Sequence, residues 1–160
     1  MPDQSTGKPP ERQGQVAGIL LAAGTSSRMG SNKLLFDLNG ESVLRGAARR
    51  ALTGGVSPLL VVLGHQADRV RQELEGLPCQ IVLNPSYEQG INTSLKAGVA
   101  ALTKLPEDIQ AAMVMLSDMP FVTAELLVWL ARLCPDAEAV VARTERGYHP
   151  VCEAYPRTSQ

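Results

Sequence analysis

Aromatic residues are scarce in this chain, 4% of the total, so its core must be assembled from Leu, Val, Ala and Ile. Such side chains suit a parallel sheet covered on both faces, whose strands read as near-continuous apolar runs. A surplus of either charge is also missing: 15 basic residues face 16 acidic ones, a net charge of -1. That balance leaves nothing to neutralise a phosphate polymer, so nucleic acid is not an expected partner. No block of like charges marks a tail or a membrane patch. Cysteine is limited to Cys79, Cys134 and Cys152, widely spaced and without a C-x-x-C pair. A disulfide framework or a zinc site is thereby disfavoured, and thiols in a reducing cytosol fit the pattern. No apolar run is long enough to cross a bilayer. Lys8 and Arg12 ahead of the run from Val16 to Ala23 imitate a short signal peptide. Cleavage there would leave a ragged Thr25-Ser26-Ser27-Arg28 start, and the run reads better as a first strand. A cytoplasmic protein without a membrane partner is expected.

What is present fits one domain. The 160 residues, 44% of them hydrophobic, can bury roughly 68–70% of their extended surface without staples. Residues 1–14, with Pro2, Gly7, Pro9 and Pro10 and no apolar period, read as a disordered leader, and 15–160 as a single domain. Strands are expected at Val16–Leu21, Pro58–Leu63, Gln80–Leu83 and Ala111–Leu116, with further candidates at Ala139–Ala142 and Val151–Tyr155. Helices are expected from Ser42 (as N-cap) to Leu52, from Asp68 to Leu74, and from a polar cap at Asn92 or Thr93 to Leu102. Another follows Thr123, where Leu126, Leu127, Leu130 and Leu133 share one face and Trp129 is most simply core. This alternation predicts an α/β fold: three α/β/α layers around a mostly parallel, Rossmann-like sheet. Ligands of such sheets sit beyond the carboxyl ends of the strands, so the residues after the first and fourth strands carry the interest.

The first strand runs into Leu21-Ala22-Ala23-Gly24-Thr25-Ser26-Ser27-Arg28-Met29-Gly30-Ser31-Asn32-Lys33. Small residues let backbone N–H groups approach a phosphate chain; Arg28 can fork onto its oxygens and Lys33 adds a compact charge. The spacing is neither the dinucleotide fingerprint nor a Walker loop. A surface loop that merely contains Arg and Lys is the plain alternative. After the fourth strand, Leu116-Ser117-Asp118-Met119-Pro120 sets a carboxylate at the sheet's carboxyl edge. A hard oxygen there suits Mg2+, whereas a turn or cap aspartate is the structural alternative.

The Leu21–Lys33 stretch resembles the L-A-A-G-x-S-x-R-M-G-x-x-K signature of the molybdopterin nucleotidyltransferase-like family, and Leu34 to Gly40 is similar to its continuation. The resemblance implies a fold of the nucleotide-diphospho-sugar transferase type. It implies a loop that wraps a triphosphate, with Leu21, Ala22, Ala23, Gly24, Thr25, Ser26, Ser27, Arg28 and Lys33 binding nucleotide and Arg28 and Lys33 offsetting phosphate charge. Asp118 matches the family's D-x-P aspartate, which implies a catalytic Mg2+ ligand. Asn84-Pro85 through Gly98 resembles the N-P-x-x-x-x-G-x-x-x-S-L-x-x-G stretch of the cytidylyl-transferring branch, which implies Gly90 and Ser94 as base readers. A turn glycine and an ordinary helix serine are the alternatives, evenly weighed. Val62-Leu63-Gly64-His65 is similar to the family's second strand end; His65 is an acid–base or, more simply, a structural histidine. Gly147-Tyr148-His149-Pro150 resembles a G-x-H-P segment, which implies acceptor binding by His149.

By resemblance the chain transfers a nucleoside monophosphate, CMP favoured over GMP, from a nucleoside triphosphate to the phosphate of molybdopterin or molybdenum cofactor, releasing pyrophosphate. The implied partners are the triphosphate, a molybdopterin-type acceptor, and a molybdoenzyme or its chaperone. Two alternatives stand beside this. One is a non-catalytic nucleotide- or cofactor-binding accessory protein, the other a sugar-1-phosphate nucleotidyltransferase. The resemblance covers Val16 to Tyr155, and family members continue beyond the H-P segment. A compact variant, or a chain lacking its C-terminal part, is therefore expected.

Overall fold

The computed structural model describes residues 15–24, 32–105, 109–117, 123–125, 128, 140–144 and 147–156. In chain order its elements are β1 (Gln15–Ala22), the short strands β2 (Asp37–Leu38) and β3 (Glu41–Ser42), α1 (Val43–Thr53), β4 (Leu59–Leu63), α2 (Ala67–Gln72), β5 (Cys79–Leu83), α3 (Ile91–Leu102), β6 (Ile109–Leu116), β7 (Val140–Thr144) and β8 (Gly147–Pro156). The expected helix after Thr123, with Leu126, Leu127, Trp129, Leu130 and Leu133, falls largely outside the described residues, as does the leader 1–14.

The apolar run of β1 serves two cores at once. Val16, Leu20 and Ala22 pack on one face, and Ile19, Leu21 and Ala23 on the other. A strand sealed on both faces belongs in the middle of a parallel sheet, and β1 lies there. It pairs in parallel with β4 on one side and β6 on the other, and β5 runs parallel beyond β4. The full order is β5-β4-β1-β6-β8-β7, with β8 and β7 antiparallel at the far edge. Pro150, which has no N–H to donate, falls in the part of β8 where its register with β7 shifts.

Helices cover both faces and complete the three layers. Leu44, Ala47, Ala48 and Ala51 of α1, together with Val70 of α2, close the first core; Ala97 and Leu102 of α3 lie against the second. The alternation follows from topology. Passing from β1 to β4 to β5 and then back across to β6 reverses direction in the sheet, so right-handed crossovers put α1 and α2 on one side and α3 on the other. Ser42 caps α1 as its sequence position suggests, its Oγ accepting from the Arg45 N–H at 3.1 Å.

Some boundaries differ from the sequence expectation for local reasons. α2 ends at Gln72, because residues 73–76 turn and Arg45 donates to the carbonyls of Glu73 and Glu75 at 2.9 and 2.8 Å. α3 begins at Ile91 behind Gly90 (φ 115°), ahead of the expected caps Asn92 or Thr93 and without a side-chain cap; the Thr93 hydroxyl donates to the Gly90 and Ser86 carbonyls instead. The β2–β3 hairpin, turned by Asn39 and Gly40 at φ 59° and 90°, lies where no strand was expected.

Close packing of α3 on the sheet depends on Gly98. A Cβ there would stand 2.6 Å from Ile19 Cγ2 and 3.3 Å from Val62 Cγ2, and both neighbours are fully buried. Gly98→Ala gains at most about 1 kcal/mol of helix propensity against an overpacking cost of about 1–3 kcal/mol. A net loss of stability is expected, read as a lowered melting temperature. An unchanged or higher one would mean that α3 does not need this approach.

Candidate functional site

The strand order reverses between β1 and β6, and in open α/β sheets that switch point is where a crevice opens beyond the carboxyl ends. Here it is fastened. Leu21 pairs with Leu116, and buried Ser117 donates both its N–H and its Oγ–H to the Leu21 carbonyl, at 3.2 and 2.8 Å. The loops that follow β1 and β6 therefore start side by side. Ala22 and Ala23 are buried, and Gly24 emerges into solvent. Thr25, Ser26, Ser27, Arg28 and Asp118 lie outside the described residues.

The first loop is described again from Asn32. This side chain is 5% exposed, and its Oδ1 accepts the Leu34 N–H at 3.1 Å while Leu34 drops into the first core. Lys33, between two buried anchors, is exposed. Local geometry thus fixes the backbone from which its ammonium extends. Among the described residues, the buried Asn32 Nδ2 has no hydrogen-bond partner.

Along the same edge, the ends of β4 and β5 form a second wall. Tyr87 packs over Gly64, where a Cβ would meet its ring carbons at 2.7–2.8 Å, and its ring lies 6.0 Å from that of His65 at 56°. The His65 N–H donates to the Ala23 carbonyl at 3.4 Å, tying this wall to the first loop. Asn84, just past β5 and 4% exposed, organises the rest. Its Nδ2 donates to Thr93 Oγ1 and Ser94 Oγ, both at 2.9 Å, and its Oδ1 accepts the Ser86 N–H at 3.0 Å. Ser94 is buried in the first turn of α3, while Gly90 is exposed. Antiparallel β8 pairs Cys152 with Met115, so its start, with His149 opposite Ala142 of β7, comes to the edge where β1 and β6 end.

Leu21, Ala22, Ala23, Gly24, Gly90, Ser94 and His149 are thus gathered at one edge of the sheet. Sequence reasoning assigned no part to Ser117 or Asn84, although both sit inside its quoted motifs. An Asn-Pro directly after a strand, followed by paired hydroxyls, is the signal that marks Asn84.

The Arg49–Glu41 ion pair, 2.6 Å long, holds the Glu41 carboxyl below its ordinary range and raises Arg49. Desolvation lowers Arg50 and raises the Cys79 thiol. Among the described residues, no group of three or more His, Cys, Asp or Glu stands ready to hold a metal ion, and no helix is long and apolar enough to cross a membrane.

The sequence pattern of the MobA-like NTP transferase domain matches residues 18–159. The chain belongs to that family. Within the MobA-like transferases and their surroundings, three relatives mark its place. A probable molybdenum cofactor guanylyltransferase of Synechococcus elongatus is 32% identical over 143 residues, 87% of this chain and 71% of that protein. The nicotine blue oxidoreductase of Paenarthrobacter nicotinovorans is 37% identical over 87 residues, 54% of this chain and only 43% of that protein's length. The crystal structure of Rv0371c from Mycobacterium tuberculosis superposes with a TM-score of 0.79 at 27% identity, over 91% of this chain and 73% of that one. The same protein in complex with manganese gives 0.72 at 25% identity, over 89% and 71%. The MobA-like fold accounts for the layers and strand order described above.

Proposed function

We propose that this chain transfers a nucleoside monophosphate from a nucleoside triphosphate to the phosphate of a molybdopterin-type acceptor, with release of pyrophosphate. One observation carries the reading. The Ser117–Leu21 clasp starts the Gly24 loop and the Asp118 segment side by side at the switch point. In this reading a triphosphate binds where these two segments start, held by the loop that begins at Gly24 and, through a metal ion, by the Asp118 carboxylate. Arg28 and Lys33 offset charge on the departing pyrophosphate. Transfer of this kind asks for alignment and charge stabilisation rather than covalent chemistry. In this reading His149 contributes to acceptor binding.

The donor chemistry fits Mg2+, which keeps several waters and takes one or two carboxylates beside substrate phosphates, with Asp118 as the protein ligand. When bound, the ion neutralises phosphate charge and orients the reacting oxygens. The manganese complex of Rv0371c supports a divalent ion in this fold.

For the base, Gly90 and Ser94 support CTP, whereas the Synechococcus relative's name supports GTP. Thermal stabilisation by CTP, GTP, ATP and UTP, with and without Mg2+, decides. Ligand at about 100 times its dissociation constant stabilises the fold by about 2.7 kcal/mol. The largest shift is expected with CTP and Mg2+. A GTP preference would overturn the base assignment alone, and no shift with any triphosphate would overturn the function. NADH or NADPH acting more strongly than every triphosphate would favour a role like that of the oxidoreductase relative.

A further inference from the structure

We infer that Asn84 is a positioning residue that presets the Ser94 hydroxyl as a hydrogen-bond donor toward the nucleobase; the inference rests on the proposed base-reading role of Ser94. The Asn84 carboxamide is fully committed. The Ser86 N–H requires an oxygen opposite it, which fixes the amide orientation and leaves both Nδ2 hydrogens for Thr93 Oγ1 and Ser94 Oγ. Asn84 is itself held in place, since its N–H donates to the Leu63 carbonyl at 2.8 Å. Both hydroxyls therefore act as acceptors toward Asn84.

Their protons have different fates. The Thr93 proton is directed to main-chain carbonyls, with Gly90 at 2.7 Å and Ser86 at 2.9 Å. The Ser94 hydroxyl has no acceptor among the described residues, although the residue is only 4% exposed. A buried donor without a partner is costly, and a ligand atom that accepts from it recovers that cost. The polarity is imposed from behind. With Asn84 donating, Ser94 offers a proton to a ring nitrogen or carbonyl oxygen of a base stacked near Gly90. Thr93, one residue earlier, is spent on holding the turn.

Asn84→Asp tests this with almost no change of shape. The new carboxylate still accepts the Ser86 N–H, but it draws the Ser94 proton to itself. Dissociation constants are measured for CTP, GTP and inorganic tripolyphosphate in Mg2+, with the full chain. Affinity for the preferred nucleotide is expected to fall roughly tenfold, the scale of one uncompensated hydrogen bond. Tripolyphosphate, which has no base, should bind as before. In a Ser94→Ala background the Asn84→Asp effect should disappear, because residues acting through one another are not additive. Thr93→Val loosens the same turn without touching the Ser94 proton, so it should lower the melting temperature and leave nucleotide affinity unchanged. It keeps the test decisive should Asn84→Asp fold poorly.

An Asn84→Asp loss that persists in the Ser94→Ala background, or that extends to tripolyphosphate, would overturn the inference. So would a Thr93→Val loss as large as that of Ser94→Ala. If Ser94→Ala alone leaves CTP and GTP binding intact, the base-reading role of Ser94 fails instead, and Asn84 falls with it.

Discussion

Asp118→Asn is expected to abolish most pyrophosphate release while the protein stays folded. Asn nearly preserves the size of the side chain and can keep a capping hydrogen bond through its amide oxygen, so a purely structural aspartate would lose at most about 1 kcal/mol of stability and little activity. A metal ligand behaves differently. The substitution removes the negative charge that holds a divalent ion, and such an ion contributes several kcal/mol of charge stabilisation in the transition state, where about 1.4 kcal/mol is tenfold in rate. A loss of ~10³-fold is expected, with partial recovery at high Mg2+. The position suits that role because Ser117, its immediate neighbour, is locked to Leu21 through two hydrogen bonds. Melting temperature without nucleotide and pyrophosphate release across a magnesium titration separate the two roles. Normal release at ordinary magnesium would remove Asp118 from the metal site.

Lys33→Ala is expected to slow turnover by ~10²–10³, the scale of one lost preorganised charge-stabilising group. Its exposed side chain makes a stability loss above about 0.5 kcal/mol unexpected. The neighbouring anchors explain why an exposed lysine can be preorganised. Asn32 and Leu34 are buried on either side of it, so the chain cannot swing away from the exit of the loop. Lys33→Arg should recover part of the rate, since charge returns with a different donor geometry. Unchanged kinetics in the folded Ala variant would show that the triphosphate does not depend on this cation.

The sheet was legible from the sequence because its strands are apolar on both faces. Val16–Leu21, Pro58–Leu63 and Ala111–Leu116 carry almost no polar residue, and no helix of that length would bury all its sides. Edge strands were harder. β5 is half exposed and its first residue, Cys79, reads as nothing in particular. The antiparallel turn-back of β8 on β6, which pairs Met115 with Cys152, is a long-range register that no local pattern announces. Hydroxyls misled where they could satisfy two partners: Thr93 reads as a helix cap, yet it serves Asn84 and two carbonyls. The loop after β1 and the serine–aspartate after β6 stood out as motifs, although residues 25–28 and Asp118 lie outside the described residues. Their adjacency was legible only as a rule about switch points, and the Ser117 clasp supplies its physical form.

The most direct measurement of function is pyrophosphate released per nucleoside monophosphate transferred, followed with this chain, Mg2+, a nucleoside triphosphate and molybdopterin or its molybdenum-loaded form. Release is expected only when acceptor is present, one pyrophosphate for each dinucleotide product formed, and lost with Asp118→Asn. Triphosphate binding that raises the melting temperature, with no pyrophosphate released in the presence of acceptor, would contradict the transferase and leave a nucleotide carrier in its place.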